Sequence, residues 1–212
     1  MNNALRNTVM KRILVFGAHP DDAEVGMGGT IAKYARQGHT VRIVTCTLPD
    51  KSEARLQEAD AAAAILGAQH QCLRINPEEM RFDRKMTTAL DEIISEFDPQ
   101  IIFTHWIHDS HNDHQVVSNA TIAATRKNTC SVYMYEQTIP GGITPFSFRA
   151  QKYIDISDFI EEKTRSLEAH ISQKSKYGEW WLYGVKGRAQ YRGFQIQKKY
   201  AEAFEVIKDI EC

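Results

Sequence analysis

The sequence predicts one α/β domain, a doubly wound and mostly parallel sheet flanked by helices. Three observations carry this expectation. Strand-like runs alternate with helical patterns through the first half of the chain. The runs Ile13-Leu14-Val15-Phe16 and Ile101-Ile102-Phe103-Thr104 read as strands, and each gives way to polar, turn-forming residues. A length of 212 residues suits one domain with a sizeable core, and 42% apolar with 25% charged residues is the balance of a folded globular protein.

Taken in order, residues 1–10 read as a flexible tail and residues 11–212 as the folded domain. The first strand covers 12–16, and a helix over 26–37 stops at Gly38-His39-Thr40. β-Rich residues 41–46 make a second strand, and Leu48-Pro49-Asp50-Lys51 a loop. Ser52-x-x-Arg55 is a weak cap before an alanine-rich helix over 53–66 that Gly67 ends. A short strand at 71–75 precedes a helix over 84–97, where Leu90, Ile93, Ile94 and Phe97 share one face and Asp98-Pro99 breaks the pattern. The strand 101–104 is followed by a helix at 115–126 and a strand at 130–135. Pro140-Gly141-Gly142 and Pro145 mark a loop, and 151–156 a further strand. Ser157 is expected to cap a helix over 158–173, an aromatic, glycine-punctuated stretch fills 176–193, and 194–210 reads as a closing amphipathic helix.

Composition excludes several classes. A formal net charge of −1, with basic residues spread along the chain, gives no nucleic-acid footprint. No apolar run approaches the roughly 18 residues needed to span a bilayer. The first ten residues lack the apolar core of a signal peptide. Cys46, Cys72, Cys130 and Cys212 form no C-x-x-C pair, so free thiols and a cytoplasmic location are expected.

The chemistry concentrates after the first strand. Gly17-Ala18 breaks it, and His19, Asp21, Asp22 and Glu24 follow within six positions. In an open α/β sheet this is where ligands bind, beyond the carboxyl ends of strands. Crowded carboxylates cost electrostatic energy unless a cation offsets them or one is protonated. His19 and Asp22 are metal-ligand types able to converge across a turn, while Asp21 points elsewhere and is left to handle a proton. A plain helix start, with Asp22 as cap and Glu24 in the first turn, explains one carboxylate but neither the histidine nor the second aspartate. The second cluster, Asp109 to His114, also follows a strand, and His111 and His114 can converge at the start of a helix. His39, His70 and His170 stand alone and read as surface residues.

His19-Pro20-Asp21-Asp22-x-Glu24 with Gly26-x-Gly28-Gly29-Thr30 resembles the opening motif of the LmbE/PIG-L zinc-dependent N-deacetylases. Asp109-Ser110-His111-Asn112-Asp113-His114 resembles their second motif, with Asn112 in place of a proline common in relatives. The resemblance runs from about residue 12 to 204 and implies a Rossmann-like, LmbE-like domain. It implies one zinc ion per chain held by His19, Asp22 and His114, a donor set that Fe2+ or Co2+ also fits. Asp21 then serves as general base, and His111 stabilises the oxyanion or protonates the departing amine; the sequence leaves open which of the two does the latter. Asp113 is expected to fix the tautomer of His111. The implied reaction is removal of acetate from an N-acetylglucosamine-type small molecule, with Arg55 and His105 as substrate contacts and His108 solvated. Trp180, Trp181 and Tyr183 can stack on a sugar face or serve a subunit contact, so a homo-oligomer is compatible with the sequence.

Two other classes compete. A dinucleotide-binding oxidoreductase would use the strand-turn-helix, but Gly26-x-Gly28-Gly29 is not G-x-G-x-x-G, and Asp21 and Asp22 occupy the turn a pyrophosphate needs. A zinc-binding protein without catalysis would have no use for Asp21 and His111.

Overall fold

A computed structural model of the chain describes residues 9–49, 52–137 and 139–211. The expected tail falls largely on residues 1–8, which lie outside the described residues together with Asp50, Lys51, Thr138 and Cys212. The strands are β1 (Arg12–Gly17), β2 (Thr40–Thr47), β3 (Gln69–Ile75), β4 (Ile101–His105), β5 (Ser131–Tyr135), β6 (Lys152–Asp155) and β7 (Ala201–Lys208). The helices are α1 (Asp22–Arg36), α2 (Glu53–Leu66), α3 (Arg84–Phe97), α4 (Asn112–Ala124), α5 (Ile160–Glu168), α6 (Ile171–Tyr177) and α7 (Trp180–Gln195).

The strands form one sheet in the order β3-β2-β1-β4-β5-β7-β6. The first five are parallel, and β7 runs antiparallel to both β5 and β6. Alternation along β1 divides the core in two. Ile13 and Val15 pack with Met27 and Ile31 of α1, Phe103 and Phe204. Leu14 and Phe16 face the other way, onto Leu90, Ile93, Ile94 and Phe97 of α3 and Val116, Val117 and Ala120 of α4. Because β2 and β4 lie on opposite sides of β1, the winding reverses there and a crevice opens at the carboxyl ends of β1 and β4.

The second half departs from expectation. The closing helix expected over 194–210 is absent: α7 ends at Gln195, and Ala201–Lys208 is a strand. Glu202 and Glu205 are both buried on that strand. Glu202 is paired with Lys163, while Glu205 accepts from Arg149 and from the Trp106 indole. The glycine-rich stretch is instead helix α7, whose Trp181, Val185, Ala189 and Gly193 recur every fourth residue as the buried stripe. The helix expected from Ser157 is two, α5 and α6, broken at Ala169 and His170. Ser157 does not cap it: its hydroxyl bonds Asp155.

Two helices also begin earlier than their patterns suggest. α1 starts at Asp22 and α4 at Asn112, so both chemical motifs lie in a loop and the first helical turn rather than in loops alone. α1 pays for this with a break: Met27 leaves helical geometry at φ −151°, ψ 27°. Lys163 donates to the freed carbonyls of Glu24 and Val25 (both 3.0 Å). Glu202 accepts the amides of Gly29 (3.1 Å) and Thr30 (2.7 Å). A buried ion pair thus supplies the partners that the helix ladder loses.

Gly26 is required by close approach, since a Cβ there would stand 2.3 Å from the Tyr135 ring, whose hydroxyl donates to the Phe16 carbonyl. Gly26→Ala is expected to cost about 1–3 kcal/mol by overpacking, a melting point lower by roughly 2–12 °C. An unchanged melting temperature would show that α1 does not press on Tyr135 this closely.

Candidate active site

β1 ends at Gly17, and the chain turns through Ala18, His19 and Pro20 before α1. Asp21 caps α1 at φ 101°, a strained left-handed conformation for a residue with a side chain. Both aspartates line a cavity of about 600 Å³, Asp22 buried among the histidines and Asp21 less so. His19, His111, His114, Arg55, Gln137, Lys176, Tyr177 and Trp181 also line this cavity.

Asp22 is the hub. Its Oδ2 accepts the His19 backbone N–H (2.7 Å), and its Oδ1 accepts from Gln137 Nε2 (2.8 Å). His19 Nδ1 stands 3.6 Å from it, and His114 Nε2 stands 3.3 Å away. Burial opposes its ionisation, but His114 and His105 outweigh that and hold the Asp22 carboxyl well below the usual range.

Two further carboxylates orient the imidazoles. Asp113 Oδ2 lies 3.0 Å from His19 Nε2, and Asp109 Oδ2 lies 3.2 Å from His114 Nδ1. Asp113 hydrogen-bonds His19 Nε2, and His114 Nδ1 faces the Asp109 carboxylate without hydrogen-bond geometry, so His19 Nδ1 and His114 Nε2 are the nitrogens turned toward Asp22. Burial would lower the pKa of both rings. Asp113 and Asp22 instead carry His19 up to about 9, and Asp22 and Asp109 carry His114 up to about 10. That surplus of carboxylate charge is what a divalent cation neutralises. Donor atoms gather in two groups sharing His114, namely His19, His111 and His114, and Asp22, His105 and His114, each within 4.8 Å of one another. Two imidazoles and a carboxylate with oriented outer nitrogens fit a catalytic divalent metal.

Asp21 is pushed up to about 7 by burial first and Asp22 second. His111 caps α4, and its Nδ1 accepts the Asp113 N–H (3.2 Å), which leaves the proton on Nε2. Burial, His114 and His19 lower its pKa. Asp113 therefore holds His111 through its backbone, while its carboxylate serves His19, not His111 as expected.

Other residues fall differently from their sequence-based places. His105 is fully buried, off the cavity wall, where Nε2 accepts the Ala18 N–H (2.9 Å); burial and His114 depress it to about 4. It lies beneath Asp22, not on a substrate. Arg55 does line the cavity, and it also donates to the Pro20 carbonyl (2.7 Å) and stands 3.7 Å from Asp21. Only Trp181 of the aromatic trio lines the cavity. His108 is exposed, stacked on Phe146 with ring centroids 4.2 Å apart. His39 is partly buried, its Nδ1 accepting the Lys11 N–H. His70, expected at the surface, is held between Asp60 and Thr45. His170, also expected there, is fully buried 3.8 Å from Glu24. Asp109, which opens the second motif, carries no role of its own in the sequence reading, and Gln137 carries none either; the only sequence signal for Gln137 is that it follows the end of a strand.

A family profile described as PIG-L: GlcNAc-PI de-N-acetylase matches residues 14–125. The chain is similar to a diacetylchitobiose deacetylase of Thermococcus kodakarensis, 26% identical over 95% of this chain and 85% of the relative. It is 33% identical to the uncharacterized deacetylase YaiS of Escherichia coli, over 81% of this chain and 98% of the relative. A 4-oxalmesaconate hydratase of Pseudomonas putida is 25% identical over 91% and 83% of the two chains. The solved N,N'-diacetylchitobiose deacetylase of Pyrococcus horikoshii shares the fold, with a TM-score of 0.79 at 23% identity over 93% of this chain and 84% of that one.

The raised imidazoles give a test. Their stabilisation is complete below the ordinary histidine value of 6.5 and is lost as pH climbs through about 9 and 10. The metal-free protein is expected to melt lower at about pH 9.5 than at about pH 6.5, and excess zinc to narrow the gap, because a cation replaces those protons. A melting temperature that rises over this window without metal would contradict the assignment.

Proposed function

The chain belongs to the GlcNAc-PI de-N-acetylase (PIG-L/LmbE) family, and on that premise we propose that it is a zinc-dependent hydrolase that removes the acetyl group from an N-acetylglucosamine-type substrate. The observation that carries this reading is the joint orientation of His19 Nδ1 and His114 Nε2 toward Asp22 beside the cavity-facing Asp21. His19, Asp22 and His114 would hold the metal, one per chain, with Fe2+ or Co2+ as substitutes. When bound, it supplies Lewis-acid polarisation of the acyl carbonyl and an acidified water.

The chain's own residues do the rest. Asp21, with a pKa lifted toward neutrality, takes the proton of the attacking water and is then placed to return it to the amine. His111, neutral with its proton on Nε2, donates a hydrogen bond to the developing oxyanion. The lowered pKa of His111 and its proton on Nε2 support giving amine protonation to Asp21. Arg55 holds Asp21 and Pro20 in place, and Trp181 and Tyr177 offer apolar faces to a sugar ring. The reaction belongs in the cytoplasm, consistent with free thiols at Cys46, Cys72 and Cys130 and no helix among the described residues long and apolar enough to cross a membrane. The domain is taken as residues 11–212.

The hydratase relative supports a second reading, because hydration also needs an activated water and a base. Arg55 and Lys176 are the only Lys or Arg on the cavity wall among the described residues, and Arg55 is engaged by the motif loop, which favours an amide over a highly anionic substrate. Amine release from N-acetylated sugars and glucosaminides decides between them; turnover of 4-oxalmesaconate without any amine release would select hydration.

Asp21→Asn keeps the side chain's shape but takes no proton, so kcat is expected to fall about 10²–10⁴-fold with metal content unchanged. His111→Ala should cost about 10²–10³-fold, whereas His114→Ala should lose the metal itself. Rates and metal stoichiometry of the three variants together check the roles. Near-normal turnover by Asp21→Asn removes it as the base, and loss of metal from that variant makes it a ligand.

A further inference from the structure

Helix α7 presents one stripe to solvent that nothing among the described residues covers. Trp180, Tyr183, Tyr191 and Phe194 are 58%, 68%, 59% and 80% exposed. Gly184 and Gly187 lie between them on the same side, all within an arc of about 100°. Each mid-helix glycine costs about 1 kcal/mol relative to alanine. Elsewhere the fold uses its helical glycines: a Cβ at Gly26, Gly29 or Gly193 would strike Tyr135, Ile156 or the backbone near Tyr200. At Gly184 and Gly187 a Cβ would meet nothing within 4 Å, so no contact inside the chain accounts for them. Small residues flanked by exposed aromatics suit a second helix crossing closely.

The stripe is symmetric about Gly187. Trp180 and Phe194 lie seven positions to either side of it, and Tyr183 and Tyr191 lie four. We propose that this face is an isologous dimer interface, in which α7 of two copies pack antiparallel across a two-fold axis at Gly187. Trp180 then meets Phe194 of the partner subunit, Tyr183 meets Tyr191 of the partner subunit, and the two Gly187 backbones face each other. A two-fold contact demands just this pairing of position i with j and j with i. Charge agrees with the antiparallel sense: exposed Glu179 precedes the helix, and exposed Lys198 and Lys199 follow it. The helix dipoles are opposed as well. At roughly 150–250 Å² per aromatic side chain, the exposed portions supply on the order of 400–650 Å² per copy. This approaches the ~800 Å² per partner of a standard interface and exceeds what scattered surface residues account for. Trp181, the next residue on α7, lines the cavity, so the contact would abut the site's rim.

Sedimentation of the full chain at micromolar concentration tests the proposal, with two independent variants. The unsubstituted chain is expected to be a dimer, and Phe194→Glu, at a position 80% exposed, to keep its circular dichroism while weakening association at least tenfold. Gly187→Cys is expected to cross-link to a covalent dimer on mild oxidation, above the background of the unsubstituted chain. A monomer at every concentration overturns the proposal, as does a dimer that Phe194→Glu leaves intact and Gly187→Cys does not cross-link. Binding of a monomeric chain to anionic lipid vesicles, abolished by Phe194→Glu, would overturn it in favour of a membrane-facing stripe.

Discussion

The buried carboxylate of Asp22 sets the geometry of everything around it. It accepts hydrogen bonds from the His19 backbone and Gln137, and it faces the rings of His19, His114 and His105. An ionised group so deep costs several kcal/mol unless it is paired and hydrogen-bonded. The His19 amide, Gln137 and the His19 and His114 rings answer that demand, and Asp113 and Asp109 stand behind the two imidazoles. The result is an acidic nest in which two overlapping groups of metal-ligand types share His114.

Keeping that nest in place requires a backbone that is locally unfavourable. Asp21 sits at positive φ, and α1 breaks five residues into its course. Lys163 and Glu202, from α5 and β7, repair the break with main-chain hydrogen bonds on both sides of it. The glycines allow the close approach, Gly26 against Tyr135 and Gly29 against Ile156. The last strand of the chain therefore supports the first motif loop across the whole length of the sequence.

Much of this was legible in the sequence. The strands β1, β2 and β4 and the helices α2 and α3 are announced by local patterns, with Ser52 and Asp83 accepting amide hydrogen bonds at the helix starts and Gly67 in the left-handed region at the end of α2. Both chemical motifs converge on one cavity as the doubly wound topology requires. What was hidden depends on long-range pairing. Buried Glu202 and Glu205 carry the polar look of a surface helix, and only Lys163 and Arg149, distant in sequence, make them strand residues. His105 looks like a fourth histidine of the motif, but its side chain points beneath Asp22, out of the cavity. His170 gives no local sign that the break between α5 and α6 buries it against Glu24. Asp113 was assigned to the wrong ring because the start of α4 decides whether its amide or its carboxylate reaches His111.

We propose that a cation held at Asp22 meets His19 Nδ1 and His114 Nε2, the nitrogens turned away from Asp113 and Asp109. Anomalous diffraction at the zinc edge, on crystals of the zinc-loaded protein, tests it most directly. One strong peak per chain is expected at about 2.0–2.2 Å from His19 Nδ1, an Asp22 carboxylate oxygen and His114 Nε2. A peak bound instead through His19 Nε2, or one held by His105 without His19, would contradict it.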